Sequence, residues 1–441
     1  MDGSGPGSRV HAAAITTTAT AAKSRRAAGA APPRRRPGSL DIAPEYRKTG
    51  TASVPAAGRL AAMRSRTPTR FVAGALAVAA LIAGCTGEPE PRRHGDSEAC
   101  RFAVGRARAG DVPVAIDGTA PDDLWAVGAH YEGGAGVPYA RRWDGETWRA
   151  TPVQIVSDAI AGFHDVVAVS QDEAWAVGSM RGKEPMTERW DGTAWSDVPV
   201  PATGADEAEL FAVTAPDDRP WAVGRARFGL RWHPLVMRWD GRAWVAERLR
   251  APIGVDAALR DVDAAAPDDV WAVGWNVGPD GRFRTLALRS TGRRWRRVAT
   301  PDPAVGDHVL SAVAAVGKEA WAVGWVTPDA GSDVPLVLLW AEATWRVIPV
   351  PSLGGRAQLT DVVAPASDDV WIAGRVTDGT QTFRSLILHW DGRRIREVAT
   401  PDVGAEDDTL AGIAVVDGFP WAVGTSVDAE GRYTSLTLSG C

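Results

Sequence analysis

The sequence predicts an all-β fold, a seven-bladed β-propeller of four-stranded antiparallel blades, and three observations predict it. First, a Trp-Ala-Val-Gly tetrapeptide or close variant begins at Trp125, Trp175, Trp221, Trp271, Trp321, Trp371 and Trp421, at steps of 50, 46, 50, 50, 50 and 50 residues. Repetition at such a period marks an array of like supersecondary units. Second, each unit reads as four short strands, a to d, divided by turn residues. An apolar run such as Leu359-Thr-Asp-Val-Val-Ala364 precedes a polar turn and the Trp of strand b, and a run such as Leu386-Ile-Leu-His-Trp390 precedes Asp391-Gly392 and strand d. Third, the units lack the 3.6-residue periodicity of a helical solenoid.

A four-stranded sheet cannot cover both of its apolar faces, so neighbouring sheets must, and radial packing around an axis achieves this. The tryptophans fit that packing. Seven begin strand b, five end strand c (Trp143, Trp190, Trp239, Trp340, Trp390) and five lie in strand d (Trp148, Trp195, Trp244, Trp295, Trp345), which accounts for 17 of 20. Large flat rings fill wedges between twisted sheets. Ser290 stands where strand c of blade 4 would end in Trp, and Ile395 replaces the strand d Trp of blade 6.

On these motifs the chain resembles the kelch and galactose-oxidase-like propellers, and bacterial secreted repeats built on W-A-V-G and R-W-D-G-x-x-W, over residues 100–441. Two departures limit the likeness to the fold. Kelch blades carry a Gly-Gly pair where a single Gly stands here (Gly178, Gly274), and Arg189-Trp-Asp-Gly-Thr-Ala-Trp195 echoes the sialidase Asp-box with one residue missing. Fold does not imply chemistry.

The last repeat lacks a strand d. The orphan apolar segment at 100–104 is of suitable length to complete that sheet and close the ring. Cys100 and Cys441 then fall at the same junction, within reach of a disulfide, the alternative being two free thiols. An oxidising compartment is also implied by residues 63–84, which read as a lipoprotein signal peptide: a basic start from Met63, an apolar stretch and Leu81-Ile-Ala-Gly-Cys85. Lipidation is expected at Cys85, since the apolar stretch is shorter than the roughly 20 residues a membrane-spanning helix needs. Residues 85–99 then form the lipidated Cys and a tether. The Ala/Arg/Pro/Gly-rich residues 1–62 are a disordered extension, or lie upstream of a true start at Met63.

Charge narrows the partners. Residues 1–84 hold 13 Lys+Arg and 3 Asp+Glu, leaving 36 against 51 thereafter, a net of −15. That balance argues against nucleic acid. A monomer attached to the membrane by its lipid, with an envelope protein or glycan as ligand, is the expectation.

Two sets of candidate ligand-binding residues lie near the d-to-a and b-to-c loops. Asp206, Asp256, Asp307 and Asp407, with Asp158, precede strand a at a similar register, where they would ring the channel mouth and hold a cation or cationic ligand, or serve only as turn residues. Arg356 interrupts the set in blade 6. Trp232, Trp275 and Trp325 lie outside the template and would stack on a sugar or simply extend the packing between blades. No catalytic motif is evident, the His residues lack metal spacing, and no cofactor is expected. The leading function is a non-enzymatic binding or scaffolding propeller. The alternative is a cell-envelope carbohydrate-active enzyme, a hydrolase or lyase, using the acids.

Overall fold

The computed structural model describes residues 102–440, apart from 106–107, 133–134, 155–160, 250–252, 255, 293, 304, 330, 378–381 and 404–405. The expected lipidation at Cys85, the Cys100–Cys441 disulfide, Asp158 and everything read into residues 1–99 lie outside the described residues.

Seven separate four-stranded antiparallel sheets make up the ring. In six of them consecutive strands lie side by side in the order a-b-c-d. Blade 3, for example, runs Glu207–Thr214, Trp221–Phe228, Arg231–Trp239 and Trp244–Ala246, and blade 6 runs Ala357–Ala366, Asp369–Thr377, Phe383–Trp390 and Ile395–Val398. The seventh sheet joins Asp408–Val416, Phe419–Val427 and Tyr433–Ser439 to the N-terminal Ala103–Val104, with Ala103 opposite Ser439 and Val104 opposite Leu438. Beyond that short strand the chain stays alongside: Gly105 N donates to Thr437 O at 2.8 Å and Gly110 N to Tyr433 O at 2.9 Å. Each strand a packs on strand a of the next blade, and that of blade 7 packs on that of blade 1 (Asp111–Ala120), so the circle is closed.

The tryptophans pack as the wedge argument requires. Trp125 of blade 1 meets Trp190 and Trp195 of blade 2 at 5.0 and 4.9 Å, and Trp271 of blade 4 meets Trp340 and Trp345 of blade 5 at 5.0 and 5.1 Å. Edge-to-face contacts of this kind add roughly 0.5–1.5 kcal/mol each to the area they bury. The trios shrink to pairs where the template is broken. Trp221 has only Trp295 of blade 4, which carries Ser290, and Trp321 has only Trp390 of blade 6, which carries Ile395. Blade 7 offers Trp371 no indole at all, and there Phe102 joins Trp371, Val363 and Leu438 in one buried cluster.

Strand a carries a bulge at one register in every blade. The extra residue reaches the next blade: His164 Nδ1 lies 2.7 Å from Leu210 O, Ser311 Oγ donates to Leu359 O at 2.6 Å and Thr360 Oγ1 to Leu410 O at 2.9 Å. In blades 2, 4 and 6 the following residue is a buried aspartate. Asp165, Asp261 and Asp361 accept the backbone N–H of Val213, Val313 and Ile413 in the next blade at 2.8, 2.7 and 2.8 Å. A buried carboxylate is tolerated because it satisfies N–H groups that the bulge and the blade junction would otherwise strand.

Candidate functional site

The face carrying the d-to-a connections and b-to-c hairpins holds both sequence-predicted sets, and the structure gives most of those residues structural work. Asp256 Oδ1 accepts the Trp232 N–H at 2.9 Å, Asp307 Oδ1 the Phe283 N–H at 2.8 Å and Asp407 Oδ1 the Phe383 N–H at 2.7 Å. In each case the acid before strand a of one blade holds the first residues of strand c in the blade before it. Asp206, exposed, accepts Gly229 N–H at 2.7 Å within its own blade. The four acids thus sit at separate positions around the ring. Among the described residues no three His, Cys, Asp or Glu side chains come together as a metal would require.

Trp275 and Trp325 are buried together with Ala258 and Val309 between blades 4 and 5, and Trp275 meets Phe283 edge-on at 4.8 Å. Both are packing residues. Trp232 is half-buried, and the Arg225 guanidinium lies 3.9 Å from its ring centroid.

Several arginines on this face are paired with acids, and two in blade 6 are exceptions. In blade 3 Arg225 donates to Glu209 at 2.8 Å and Arg227 contacts Glu207 at 2.8 Å. Arg231 pairs with Asp256 at 3.0 Å, Arg284 with Asp280 at 2.6 Å, and Arg282 with Asp329. Blade 6 departs from the rule. Arg375 occupies the register of Arg225, four residues after the template Trp, but opposite it in strand a stands Gln358 in place of Glu209. Arg375 Nε and Nη2 donate to the neutral Gln358 Oε1 at 3.0 and 2.6 Å, and Gln358 Nε2 donates to Asp333 Oδ2 at 2.6 Å. Burial lowers the Arg375 pKa, the nearby Asp407 carboxylate opposing that shift.

Arg356 makes the second exception. Its carbonyl accepts the Thr377 N–H, as those of Asp256 and Asp407 accept the Val277 and Val427 N–H groups, so Arg356 stands at the register of the clamping acids. Its side chain has no carboxylate partner among the described residues. The guanidinia of Arg356 and Arg375 lie 5.0 and 4.4 Å from the centroid of one buried ring, Phe383. Where the clamping acid is missing, between blades 5 and 6, a groove of about 800 Å³ opens. Val334, Pro335, Val350 and Leu353 give it an aliphatic part, beside Arg356 and Thr377.

No protein-family model matches the sequence. No curated protein matches it either. Solved structures with a similar chain path include YCF48 bound to D1 peptide, at 13% identity over 77% of this chain and 94% of that one, with a TM-score of 0.48. An ulvan lyase of a new polysaccharide lyase family, solved with a bound saccharide, is 9% identical over 76% and 95%, with a TM-score of 0.45. YjhT is 10% identical over 68% of this chain and 99% of its own, with a TM-score of 0.41. Likenesses this remote say nothing about activity.

Sequence reasoning registered Arg356 only as an interruption and missed Gln358, Arg375 and Phe383. The signal was present in the repeat. Aligning blades 3 and 6 shows Glu replaced by Gln and an acid by Arg in the same unit, two losses of negative charge around one arginine.

Proposed function

We infer that this chain is a non-enzymatic binding propeller, held outside the cytoplasm by a lipid on Cys85, that takes a protein or glycan ligand on its loop face at the junction of blades 5 and 6. One observation carries the reading: Arg356, which has no carboxylate partner among the described residues, lines an open groove, and behind it Arg375 is hydrogen-bonded to a neutral amide, with Asp407 and Asp333 acting on it only through space. Desolvating a cation without a partner is costly, and such groups mark sites completed by a ligand. Of the acids that a hydrolase would need, Asp256, Asp307 and Asp407 are engaged with backbone N–H groups at the blade junctions and Asp206 with the Gly229 N–H of its own blade. Ser179 Oγ, 3.5 Å from His164 Nε2, is buried with its histidine between blades 2 and 3.

The test uses the full chain, screened on glycan and peptide arrays and assayed for glycan cleavage, with Asp206→Asn, Asp256→Asn, Asp307→Asn and Asp407→Asn beside it. Saturable binding without turnover is expected. Cleavage that disappears in these variants would replace the reading with the envelope-hydrolase or lyase alternative. Palmitate labelling of the native chain, lost in Cys85→Ser, tests the anchor separately.

A further inference from the structure

We propose that the ligand of the blade 5/6 groove is an acidic peptide segment, with a carboxylate held by Arg356 and, behind it, Arg375; this rests on the binding reading above. Three features of the groove select that chemistry. The planar guanidinium fork matches a carboxylate in two parallel hydrogen bonds, and Arg356, which lines the groove, has no side-chain hydrogen bond among the described residues. Arg375 lies one step deeper, two residues before Thr377 on the same face of its strand. Burial and the Arg356 charge lower the Arg375 pKa while Asp407 and Asp333 oppose them, and an anion between the two guanidinia would relieve the repulsion of one cation by the other.

The lining is mixed, with aliphatic side chains beside Ser332, Ser352, Gly354 and Gly355. Val334, Pro335, Val347, Ile348, Val350 and Leu353 supply the aliphatic part, and no Trp, Tyr or Phe is among the lining residues. Proteins that grip sugars stack them on flat rings, and the one ring close by, Phe383, is already covered by both guanidinia. Val334 and Val347 are 45% and 43% exposed, so the groove presents apolar surface to solvent that a peptide's aliphatic side chains would cover. Asp333 is hydrogen-bonded to Thr327 Oγ1 at 2.7 Å and to Gln358, and Asp407 holds the Phe383 N–H; both carboxylates act on Arg375 through space, and neither forms an ion pair with either arginine among the described residues.

The experiment pans a phage-displayed random dodecapeptide library on the full chain and measures the recovered peptides by fluorescence anisotropy. Inorganic phosphate and oligogalacturonate run alongside. Enrichment of Asp or Glu flanked by aliphatic residues is expected. Changing that acid to its amide should weaken binding by about 10- to 100-fold, the range for a hydrogen bond to a charged group. Arg356→Gln should cause the same loss with unchanged thermal unfolding, and the two changes together should cost no more than one. Arg356→Lys should not restore affinity, because a point charge lacks the fork.

Peptides that bind equally well without their acid, or to Arg356→Gln, would overturn the carboxylate assignment and leave the binding reading intact. Retention of oligogalacturonate alone would overturn the peptide and retain binding. A chain that retains none of the probes would sink both. Arg375→Gln adds a second reading where it folds, and the half-buried Arg356 decides the matter where it does not.

Discussion

Blades 3 and 6 are built on one template and answer the same local problem in opposite ways. Both place an arginine four residues after the template Trp, facing strand a. Blade 3 supplies Glu209 and closes the charge internally, while Blade 6 supplies Gln358, which satisfies hydrogen bonds but not charge. An amide can solvate a guanidinium without neutralising it. A single-atom difference between carboxylate and amide therefore separates a finished structural pair from a site that still favours an anion.

The sharpest way to break this contrast is to remove the acceptor in blade 3. Glu209→Ala strands a mostly buried Arg225, and a loss of about 3–5 kcal/mol in denaturant unfolding is expected. Arg375→Met at the matching register of blade 6 removes a buried cation that has no direct ion pair among the described residues and should cost far less, under about 1.5 kcal/mol. Equal losses in the two variants would mean that Arg375 is neutralised in the folded chain.

The next largest effect comes from the bulge. Blade 6 has Asp361 where blade 3 has Ala212, and Asp361 holds the buried N–H groups of Val362 and Ile413. Asp361→Ala should destabilise by about 2–4 kcal/mol in the same assay, whereas Ala212→Gly, which removes no acceptor, should stay near 1 kcal/mol.

Acidity gives a gentler test. His164, bonded to Leu210 O of blade 3, has its pKa lowered by burial. The unfolded chain therefore takes up a proton near its ordinary value of about 6.5 while the folded chain does not. Stability is present in full above that value and falls as pH drops below it, and His164→Gln should flatten the curve of unfolding midpoint against pH in that range. The smallest effect belongs to the turns, where the two blades agree. Asp240 and Asp391 are both held below the usual carboxylate range, chiefly by the Ala243 and Arg394 N–H groups. Each contributes stability above its unfolded pKa that is lost as pH falls through the depressed folded value. Asp240→Ala and Asp391→Ala should therefore narrow the acid transition by similar small amounts.

The ring was legible in the sequence because it is written seven times. Trp spacing, turn residues and strand alternation each recur, and recurrence averages out local exceptions such as Ser290 and Ile395. The site was hidden for the complementary reason. It is made of departures in one blade, Gln358 for an acid and Arg356 for another, and its meaning depends on which residues face each other across strands. Asp256, Asp307 and Asp407 form a conspicuous acid register that the sequence leaves open between a channel-mouth lining and turn residues. The register exists to hold N–H groups of the preceding blade, a role visible only once blade junctions are known. Asp165, Asp261 and Asp361 passed unnoticed inside apolar runs for the same reason.

The seam that joins residues 103–110 to the last strand also sets the order of folding. Arg108 and Ser435, hydrogen-bonded at 3.0 Å, are 327 positions apart, and closing a loop of that length costs about 5 kcal/mol of chain entropy. Six sheets and most of the seventh are built from local hairpins with no such cost, so an open arc is expected to precede the circle. Because the two ends meet at the seam, splicing them and cutting an exposed turn elsewhere would shift the final, slowest step to a different pair of blades.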